Sequence, residues 1–362
     1  MVNPKLVRHL QRLMSGPNPH ARALKTTILR SVSRSFYLSI RFLPALLREP
    51  IALAYLLART TDTVADTTQI GGTVRIETLK ILSDGIQGKA PREAIINQVA
   101  AFVPLQENAA ERTLLDSLPD CLEWLERTGG ADRDDVRAVL EKITRGQMLD
   151  LHRFDPPAVR RDGLAVANNA TQVRALQTAA DLDEYTYLVA GCVGEFWTRL
   201  CFRHLRDFAS SIQDEMLSLG RRYGMGLQLI NVLRDAGADL RAGRCYFPEA
   251  ELGAIGLSAA QILSESDRFQ PIYQRWTEKA QDGLACGTQY SRAIRNRRVR
   301  AATVLPALIG ARTLALLREA GASALHQTIK VPRRKVRSTI VSLAIHLASR
   351  EKIDAMFEQV KL

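Results

Sequence analysis

Apolar residues recur along most of the chain at intervals of three and four, which is the spacing of one buried helix face. The pattern is strongest from Ile51 to Asp66, and Pro44 and Pro50 mark the turn that leads into this segment. No stretch of alternating apolar and polar residues outcompetes the helical pattern, and Gly243 to Pro248 is predicted to be a loop. The sequence therefore predicts an all-α fold.

Glycine and proline residues divide the rest of the pattern into separate elements. Residues 73–140 predict several amphipathic helices, and the helix that follows carries Gln147 and Asp150 as candidates to approach a cavity. No repeat period or linker divides the chain. We expect one domain over residues 1–362, in which residues 1–20 are a flexible basic N-terminal segment.

Polar side chains follow one side of the helix predicted around residue 230. Gln228, Asn231, Asp235 and Asp239 stand at spacings of three, four and four, and the residues between them are largely apolar. Two ionised carboxylates one turn apart repel each other, so the arrangement is most easily explained by a cation that both can reach. The alternative is an ordinary solvated helix face.

The segment from Arg59 to Asp66 repeats this arrangement far upstream. Arg59 precedes the pair Asp62 and Asp66, as Arg234 precedes the later pair. Mg²⁺ prefers oxygen ligands and is commonly held by a few carboxylates together with substrate phosphates. The two pairs therefore predict Mg²⁺ ions clamped on a diphosphate, with these arginines and Arg244 balancing the remaining charge.

Departure of a diphosphate anion leaves a carbocation, which needs an apolar cavity that excludes water. Aromatic faces stabilise such cations, although each aromatic residue taken singly is also explained by core packing. The candidates are Phe36, Tyr55, Tyr185 and Tyr187. Nearby, Ala190, Gly191 and Gly194 predict a helix strip without bulky side chains, against which either another helix or a long thin ligand can lie.

Composition limits the class of protein. With 362 residues and 46% hydrophobic residues, the chain is long enough to bury a sizeable core. Its 50 lysines and arginines against 38 aspartates and glutamates give a net charge of +12. This excess indicates an anionic partner, which could be a phosphorylated small molecule, an anionic lipid surface or a nucleic acid.

Several common sites are not indicated by the sequence. The 5 cysteines show no Cys-x-x-Cys spacing and the 6 histidines are scattered, which argues against zinc or a disulfide framework. Gly224-Met225-Gly226 lacks the third glycine of a dinucleotide fingerprint. No signal peptide or stretch of membrane-spanning length is evident. We expect a cytoplasmic protein, soluble or attached to a membrane peripherally.

Five segments share the order and spacing of the motifs of a known family. They are Ser33-Arg34-Ser35-Phe36, Tyr55-x-x-x-Arg59-x-x-Asp62-x-x-x-Asp66, Tyr185 to Gly194, Gln228-x-x-Asn231-x-x-Arg234-Asp235-x-x-x-Asp239, and Gly243-Arg244-x-Tyr246-x-Pro248. Together they resemble the squalene and phytoene synthase family of head-to-head prenyl transferases. The resemblance runs from about Ser31 to Arg337.

The resemblance implies an isoprenoid-synthase bundle of helices around a central cavity. It also implies that two prenyl diphosphates, most often farnesyl diphosphate, are joined through a cyclopropyl diphosphate intermediate. The implied Mg²⁺ ligands are Asp62, Asp66, Asp235 and Asp239. The implied catalytic residues are Tyr185, Arg59 and Arg234. The implied substrate-binding residues are Ser33, Arg34, Phe36, Tyr55, Gln228, Asn231, Arg244 and Tyr246.

The product depends on the last step of the reaction. Squalene requires a hydride from NADPH, whereas dehydrosqualene and phytoene form by proton loss. The basic tail that contains Lys330, Arg333 and Arg334 resembles the segment near the NADPH site of squalene synthases, so we expect squalene. Glu195-Phe196-Trp197 departs from the usual eukaryotic pattern, which is consistent with a bacterial-type enzyme.

Three alternatives stay open. One is a dehydrosqualene or phytoene synthase, and another is a terpene cyclase that acts on a single prenyl chain. The third is a non-catalytic basic helical protein that binds an anionic membrane or nucleic acid. Because carboxylates oppose a polyanion unless a metal intervenes, we expect prenyl diphosphates as partners and no nucleic acid. Residues 1–20 are the candidates for peripheral contact with an anionic membrane.

Overall fold

Helices make up most of the computed structural model, which describes residues 24–33, 36–155, 173–346 and 349–358. The prediction of an all-α fold is confirmed. The α-helices are α1 (Leu29–Ser33), α2 (Phe36–Phe42), α3 (Ala45–Asp66), α4 (Gly72–Ile86), α5 (Arg92–Ala100), α6 (Ala109–Asp116), α7 (Leu118–Arg127), α8 (Gly130–Phe154), α9 (Ala179–Thr186), α10 (Cys192–His204), α11 (Gln213–Arg241), α12 (Glu249–Ala254), α13 (Ser266–Ala293), α14 (Arg297–Ala320), α15 (Arg333–Ile345) and α16 (Arg350–Glu358). Single turns of π or 3₁₀ helix lie at Leu24–Ile28, Val103–Leu105, Tyr187–Gly191, Ala259–Gln261 and Gly321–Leu325.

Helix α3 begins earlier than the sequence pattern predicts. Pro44 is its N-cap and the helix already starts at Ala45, so that Pro50 lies inside the helix and is buried there. A proline lacks the N–H that would bond four residues back, which made Pro50 look like a helix boundary. Only one backbone hydrogen bond is lost, however, and burial of the surrounding apolar face, including Leu47 and Ile51, keeps the chain helical.

Two short strands interrupt the otherwise helical chain. Strand β1 (Arg174–Leu176) pairs in parallel with β2 (Arg244–Pro248), and Arg174 lies opposite Arg244. The prediction of a loop from Gly243 to Pro248 was therefore wrong. The pairing partner lies about 70 residues upstream, where no local pattern can indicate it. In a strand, alternate side chains face one side, and β2 accordingly directs Arg244 and Tyr246 to the same cavity.

The strip of small residues spans the π turn Tyr187–Gly191 and the start of α10, and it is used for helix packing. A Cβ atom added to Gly194 would stand 2.0 Å from the carbonyl oxygen of Gly220, and one added to Gly224 would stand 2.4 Å from that of Ala190. The backbones of the π turn and α10 thus approach the backbone of α11 too closely for any side chain at these positions. Of the two alternatives for this strip, the structure supports packing against another helix.

Buried apolar side chains form two clusters, one built mainly on the helices before residue 210 and the other on α11, α13 and α14. A large cavity lies where they meet, since its wall includes Ile51 and Phe196 from the first cluster and Val232 and Tyr246 from the second. The organisation of residues 1–362 as a single domain stays a prediction.

One helical stretch in the described residues is long and apolar enough to cross a membrane by length and composition. It runs from Arg297 to Leu325, and its most apolar window has a mean hydropathy of 1.4. The expectation that no stretch reaches this length was therefore wrong. Within this window 72% is buried inside the protein, so core packing accounts for the apolar composition.

Candidate active site

The cavity has a volume of about 1080 Å³ and is lined by residues of α3, α8, α10, α11 and β2, among others. Along α3 and α8 the cavity wall changes from apolar to acidic side chains. On α3, Ile51 is followed about three turns later by Asp62, and on α8 Val139 is followed by Asp150 at the same separation. We call the part lined by the aspartates the charged end, and the part lined by Ile51, Val139, Ile143, Phe196 and Trp197 the apolar end.

The aspartates of α3 lie at the charged end beside one arginine. The Arg59 guanidinium contacts the carboxylates of both Asp62 and Glu111. Desolvation raises the pKa of Asp62, and Arg59 opposes the rise. Asp66 stands at the exposed edge of the cavity, where desolvation by the surrounding protein and then the charge of Asp62 raise its pKa to about 7. Such crowded carboxylates favour a nearby cation.

The aspartates of α11 line the same cavity and each has its own arginine. Arg234 donates from Nε to Oδ1 of Asp235 over 2.9 Å, and Nη2 of Arg244 lies 2.8 Å from Oδ1 of Asp239. Desolvation raises the pKa of Asp239 to about 6, although Arg244 opposes it. The polar stripe predicted from the sequence therefore faces the cavity, and it includes Gln228 and Asn231, whose side chains share a 3.2 Å hydrogen bond.

A tyrosine pair bridges α8, α9 and β2. The rings of Tyr185 and Tyr246 stack with centroids 5.0 Å apart, and the Tyr246 hydroxyl donates to Oδ1 of Asp150 over 2.8 Å. Burial raises the pKa of Asp150 and that of Tyr185, so the phenol of Tyr185 stays protonated at neutral pH. Both tyrosines were predicted site residues and both line the cavity, as does Tyr55, whose hydroxyl donates to the Val32 carbonyl.

Asp150 and Gln147 line the cavity, as the sequence predicted for their helix, but neither was included among the predicted site residues. The carboxylate of Asp150 is placed within electrostatic reach of Asp66, Asp239 and Arg244. A signal was present, because an aspartate next to Leu151 on the apolar side of α8 is unusual unless a partner forms a hydrogen bond with its carboxylate. That partner, Tyr246, lies 96 residues away, which explains why the signal was weak.

Other predicted residues lie away from the cavity or outside the described residues. Ser33 is buried and its hydroxyl donates to the Leu29 carbonyl within its own helix, so it is not among the described residues that line the wall. Tyr187 was a candidate to face a carbocation, but its hydroxyl accepts a 2.7 Å hydrogen bond from Lys142 of α8, and it is not among the described residues that line the cavity. Arg34 and the side chain of Phe36 fall outside the described part of the chain.

The basic tail is also separate from the cavity wall. Lys330, Arg333 and Arg334 are exposed to solvent, and none of them is among the described residues that line the cavity. Their side chains can reach an anion in solution, but the structure does not bring them together with the aspartates. The predicted NADPH contacts therefore stay a prediction.

The donor set at the charged end fits a divalent cation that is shared with a bound phosphate. Within residues 24–33, 36–155, 173–346 and 349–358, no three His, Cys, Asp or Glu side chains come close enough to hold a metal by themselves. Mg²⁺ keeps several waters and is usually held by one or two carboxylates plus substrate phosphates. Two carboxylate pairs on one cavity, with nearby arginines and with raised pKa values at Asp62, Asp66 and Asp239, suit that form of binding.

Comparison with known sequences shows to which family the chain belongs. Residues 29–335 match the squalene/phytoene synthase family. The chain belongs to this family. It is a family of head-to-head prenyl transferases, which bind prenyl diphosphates and typically depend on a divalent metal. The match includes both aspartate pairs, Tyr185 and β2.

Individual relatives are distant. A bifunctional lycopene cyclase/phytoene synthase of Phaeosphaeria nodorum is 26% identical over 70% of this chain and 38% of its own length. A squalene synthase of Botryococcus braunii is 25% identical over 70% of this chain and 48% of its own length. The chain thus spans less than half the length of these two curated relatives.

Solved structures agree on the fold. A complex of TcSQS with a ligand has a TM-score of 0.69 and 19% identity, covering 95% of this chain and 98% of that chain. A dehydrosqualene synthase in complex with a ligand has a TM-score of 0.60 and 20% identity, covering 91% and 98%. The predicted isoprenoid-synthase bundle is confirmed.

Proposed function

We propose that this protein is a Mg²⁺-dependent squalene synthase, which condenses two farnesyl diphosphates head-to-head through presqualene diphosphate and completes the reaction with NADPH. One observation carries the proposal: a single cavity of about 1080 Å³ joins two aspartate pairs from separate helices to an apolar end lined by Ile51, Phe196 and Trp197. A prenyl diphosphate has the same division between a charged head and a hydrocarbon chain.

The charged end would hold the diphosphates. Mg²⁺, when bound, neutralises the diphosphate and helps it to leave. The residues that would hold the metal are Asp62, Asp66, Asp235 and Asp239, assisted by Gln228 and Asn231. Arg59, Arg234 and Arg244 would pair with the remaining phosphate oxygens, with Arg34 as a further candidate.

The aromatic residues would act on the carbocation. When the C–O bond of the substrate breaks, its electron pair leaves with the diphosphate and the carbon is left with a positive charge. The stacked rings of Tyr185 and Tyr246 and the ring of Tyr55 line the cavity next to the charged end. We place Tyr185 in the first half-reaction, where its protonated phenol can donate a hydrogen bond to the departing oxygen.

The reductive step is supported by the sequence resemblance of the basic tail alone. NADPH, when bound, supplies the hydride that squalene formation requires. Lys330, Arg333 and Arg334 would pair with its phosphates, since all three are exposed and basic. A cytoplasmic location, with contact to an anionic membrane through residues 1–20, completes the proposal.

Dehydrosqualene or phytoene synthesis is the second candidate. It is supported by the relatives, which include the bifunctional lycopene cyclase/phytoene synthase of Phaeosphaeria nodorum and a 4,4'-diapophytoene synthase of Staphylococcus haemolyticus that is 35% identical over 27% of this chain and 33% of its own length. Purified protein should be incubated with farnesyl diphosphate and Mg²⁺, with and without NADPH, and the products identified by mass. We expect squalene only when NADPH is present. Dehydrosqualene as the sole product under both conditions would remove the reductive step, and conversion of geranylgeranyl diphosphate alone would favour phytoene synthesis.

A further inference from the structure

Gln147 carries a buried polar atom for which the described residues offer no partner. Its side chain lines the cavity, and its amide oxygen Oε1 is buried without any hydrogen-bond donor among these residues. Leaving an acceptor buried and unpaired destabilises the folded state, so native structures rarely keep one without a reason. A ligand in the cavity is a reason that fits the position of the atom.

The position of Gln147 along α8 is at the boundary between the two ends of the cavity. Asp150 of the charged end follows it by three residues, and Ile143 of the apolar end precedes it by four. At a rise of about 1.5 Å per residue, these neighbours lie about 4.5 Å and 6 Å away along the helix axis. A prenyl diphosphate that spans the cavity therefore has its first carbon, which bears the diphosphate, near this side chain.

We propose that the amide oxygen of Gln147 faces this carbon and stabilises the positive charge that forms there, an inference that rests on the proposed function. When the C–O bond breaks, the electron pair leaves with the diphosphate and the oxygen dipole of Gln147 opposes the charge left on carbon. Gln147 forms no covalent bond and accepts no proton. A fixed dipole in a site that excludes water is effective because it needs no reorganisation when the charge appears.

The chain offers a matched control in Gln270. This residue of α13 also has a buried amide oxygen with no partner among the described residues, but it is not part of the described cavity wall. Gln147→Leu and Gln270→Leu therefore remove the same group from two kinds of surroundings. Each change removes an unpaired buried acceptor, so neither variant is expected to lower the melting temperature.

The test measures diphosphate release under single-turnover conditions, together with kcat, KM and the melting temperature. We expect Gln147→Leu to lower kcat about 10- to 100-fold with KM within about 2-fold, the pattern of an interaction made in the transition state. Gln270→Leu should leave both constants unchanged. Gln147→Met, which keeps the length of the side chain, should behave like the leucine variant.

Other outcomes would overturn the inference. An unchanged kcat in folded Gln147→Leu, an equal loss in the Gln270 variant, or a rise in KM alone would each do so. The assay should use whichever prenyl diphosphate the wild-type protein ionises. If farnesyl diphosphate is not ionised, squalene synthesis is rejected, but the role of Gln147 can still be tested with geranylgeranyl diphosphate. If the protein ionises neither, the inference fails together with the proposed function.

Discussion

The two aspartate pairs share one spacing but differ in how the protein balances their charge. Beside α3, one arginine serves two carboxylates, because Arg59 contacts both Asp62 and Glu111 of α6, and Asp66 forms no ion pair with another described residue. On α11, each aspartate has its own arginine, Arg234 for Asp235 and Arg244 for Asp239.

This difference shows that the spacing of the aspartates determines where their carboxylates lie but not how their charges are balanced. A helix with Asp-x-x-x-Asp puts both carboxylates on one face wherever it occurs, so the spacing predicts that they line the cavity. It does not predict which pair carries uncompensated charge. In the folded protein the α3 pair does, and Asp66 with its raised pKa most of all. We infer that α3 gains more than α11 when a cation enters.

The largest expected effect is loss of activity when either pair is broken. Asp62→Asn and Asp235→Asn should each lower the turnover of farnesyl diphosphate by about 100-fold or more, because each removes a charge that, in the proposed function, would face the diphosphate and its metal. Steady-state release of diphosphate measures this effect. Asp183→Asn is the control, since Asp183 is a partly exposed aspartate paired with Lys279 outside the described cavity wall. Loss in only one cavity variant would contradict a joint clamp.

Sequence patterns identified the polar residues of the site better than its surroundings. The spacing of Asp62 and Asp66, and of Asp235 and Asp239, directly predicts a shared face, and the structure places all four on one cavity. Local periodicity is sufficient here because residues three and four apart on a helix are neighbours. The same reasoning correctly predicted that most of the chain is helical.

What the sequence missed depends on contacts between distant residues. Strand β2 exists because of β1, the carboxylate of Asp150 accepts a hydrogen bond from Tyr246, and Glu111 reaches Arg59 from another helix. For Tyr187 the error is the opposite one, since it was a predicted candidate that the structure does not place at the cavity. It lies two residues beyond Tyr185, and at that spacing a helix turns its side chain away from the cavity. The π turn at Tyr187–Gly191 alters the local register further, which a pattern of three and four cannot reveal.

Stabilisation by Mg²⁺ with inorganic diphosphate is the next effect in size. Saturation at 100 times the dissociation constant stabilises the folded state by about 2.7 kcal/mol, which raises the melting temperature by several degrees. Because α3 is the less compensated pair, Asp66→Asn should reduce this shift more than Asp239→Asn. Differential scanning fluorimetry measures both, with EDTA as the control that restores the metal-free value. An equal reduction in the two variants would remove the inferred difference between the helices.

A smaller effect concerns stability without metal. The pKa of Asp66 is about 7 in the folded state and near 4 in the unfolded state. Between these two pH values the folded state binds more protons than the unfolded state, so the contribution of Asp66 to stability falls as pH rises. Asp66→Asn removes this penalty. Its melting temperature should match that of the wild type near pH 4 and exceed it by on the order of a degree or two at pH 8, since solvent screens the exposed carboxylate.

The matched variant on α11 sharpens this measurement. Asp239→Asn removes a carboxylate whose pKa is raised to about 6, but it also leaves Arg244 without its 2.8 Å partner. The two consequences oppose each other, so the gain at pH 8 should be smaller than for Asp66→Asn. A larger gain in Asp239→Asn would reverse our ranking of the two pairs.

The smallest expected effect comes from Glu111, which contacts Arg59 but is not among the described residues that line the cavity. Glu111→Gln keeps an oxygen that can accept a hydrogen bond from the Arg59 guanidinium but removes one of the two carboxylates that contact it. Turnover should fall by a few-fold and KM should change more than kcat, because Arg59 keeps its contact with Asp62 and loses only part of its restraint. Glu265→Gln, which weakens a comparable Arg268 ion pair outside the described cavity wall, should leave both constants unchanged. If Glu111→Gln abolished turnover as completely as Asp62→Asn, Glu111 would belong with the diphosphate-binding residues. The α3 and α11 sides of the site would then differ in the number of their carboxylates as well as in charge balance.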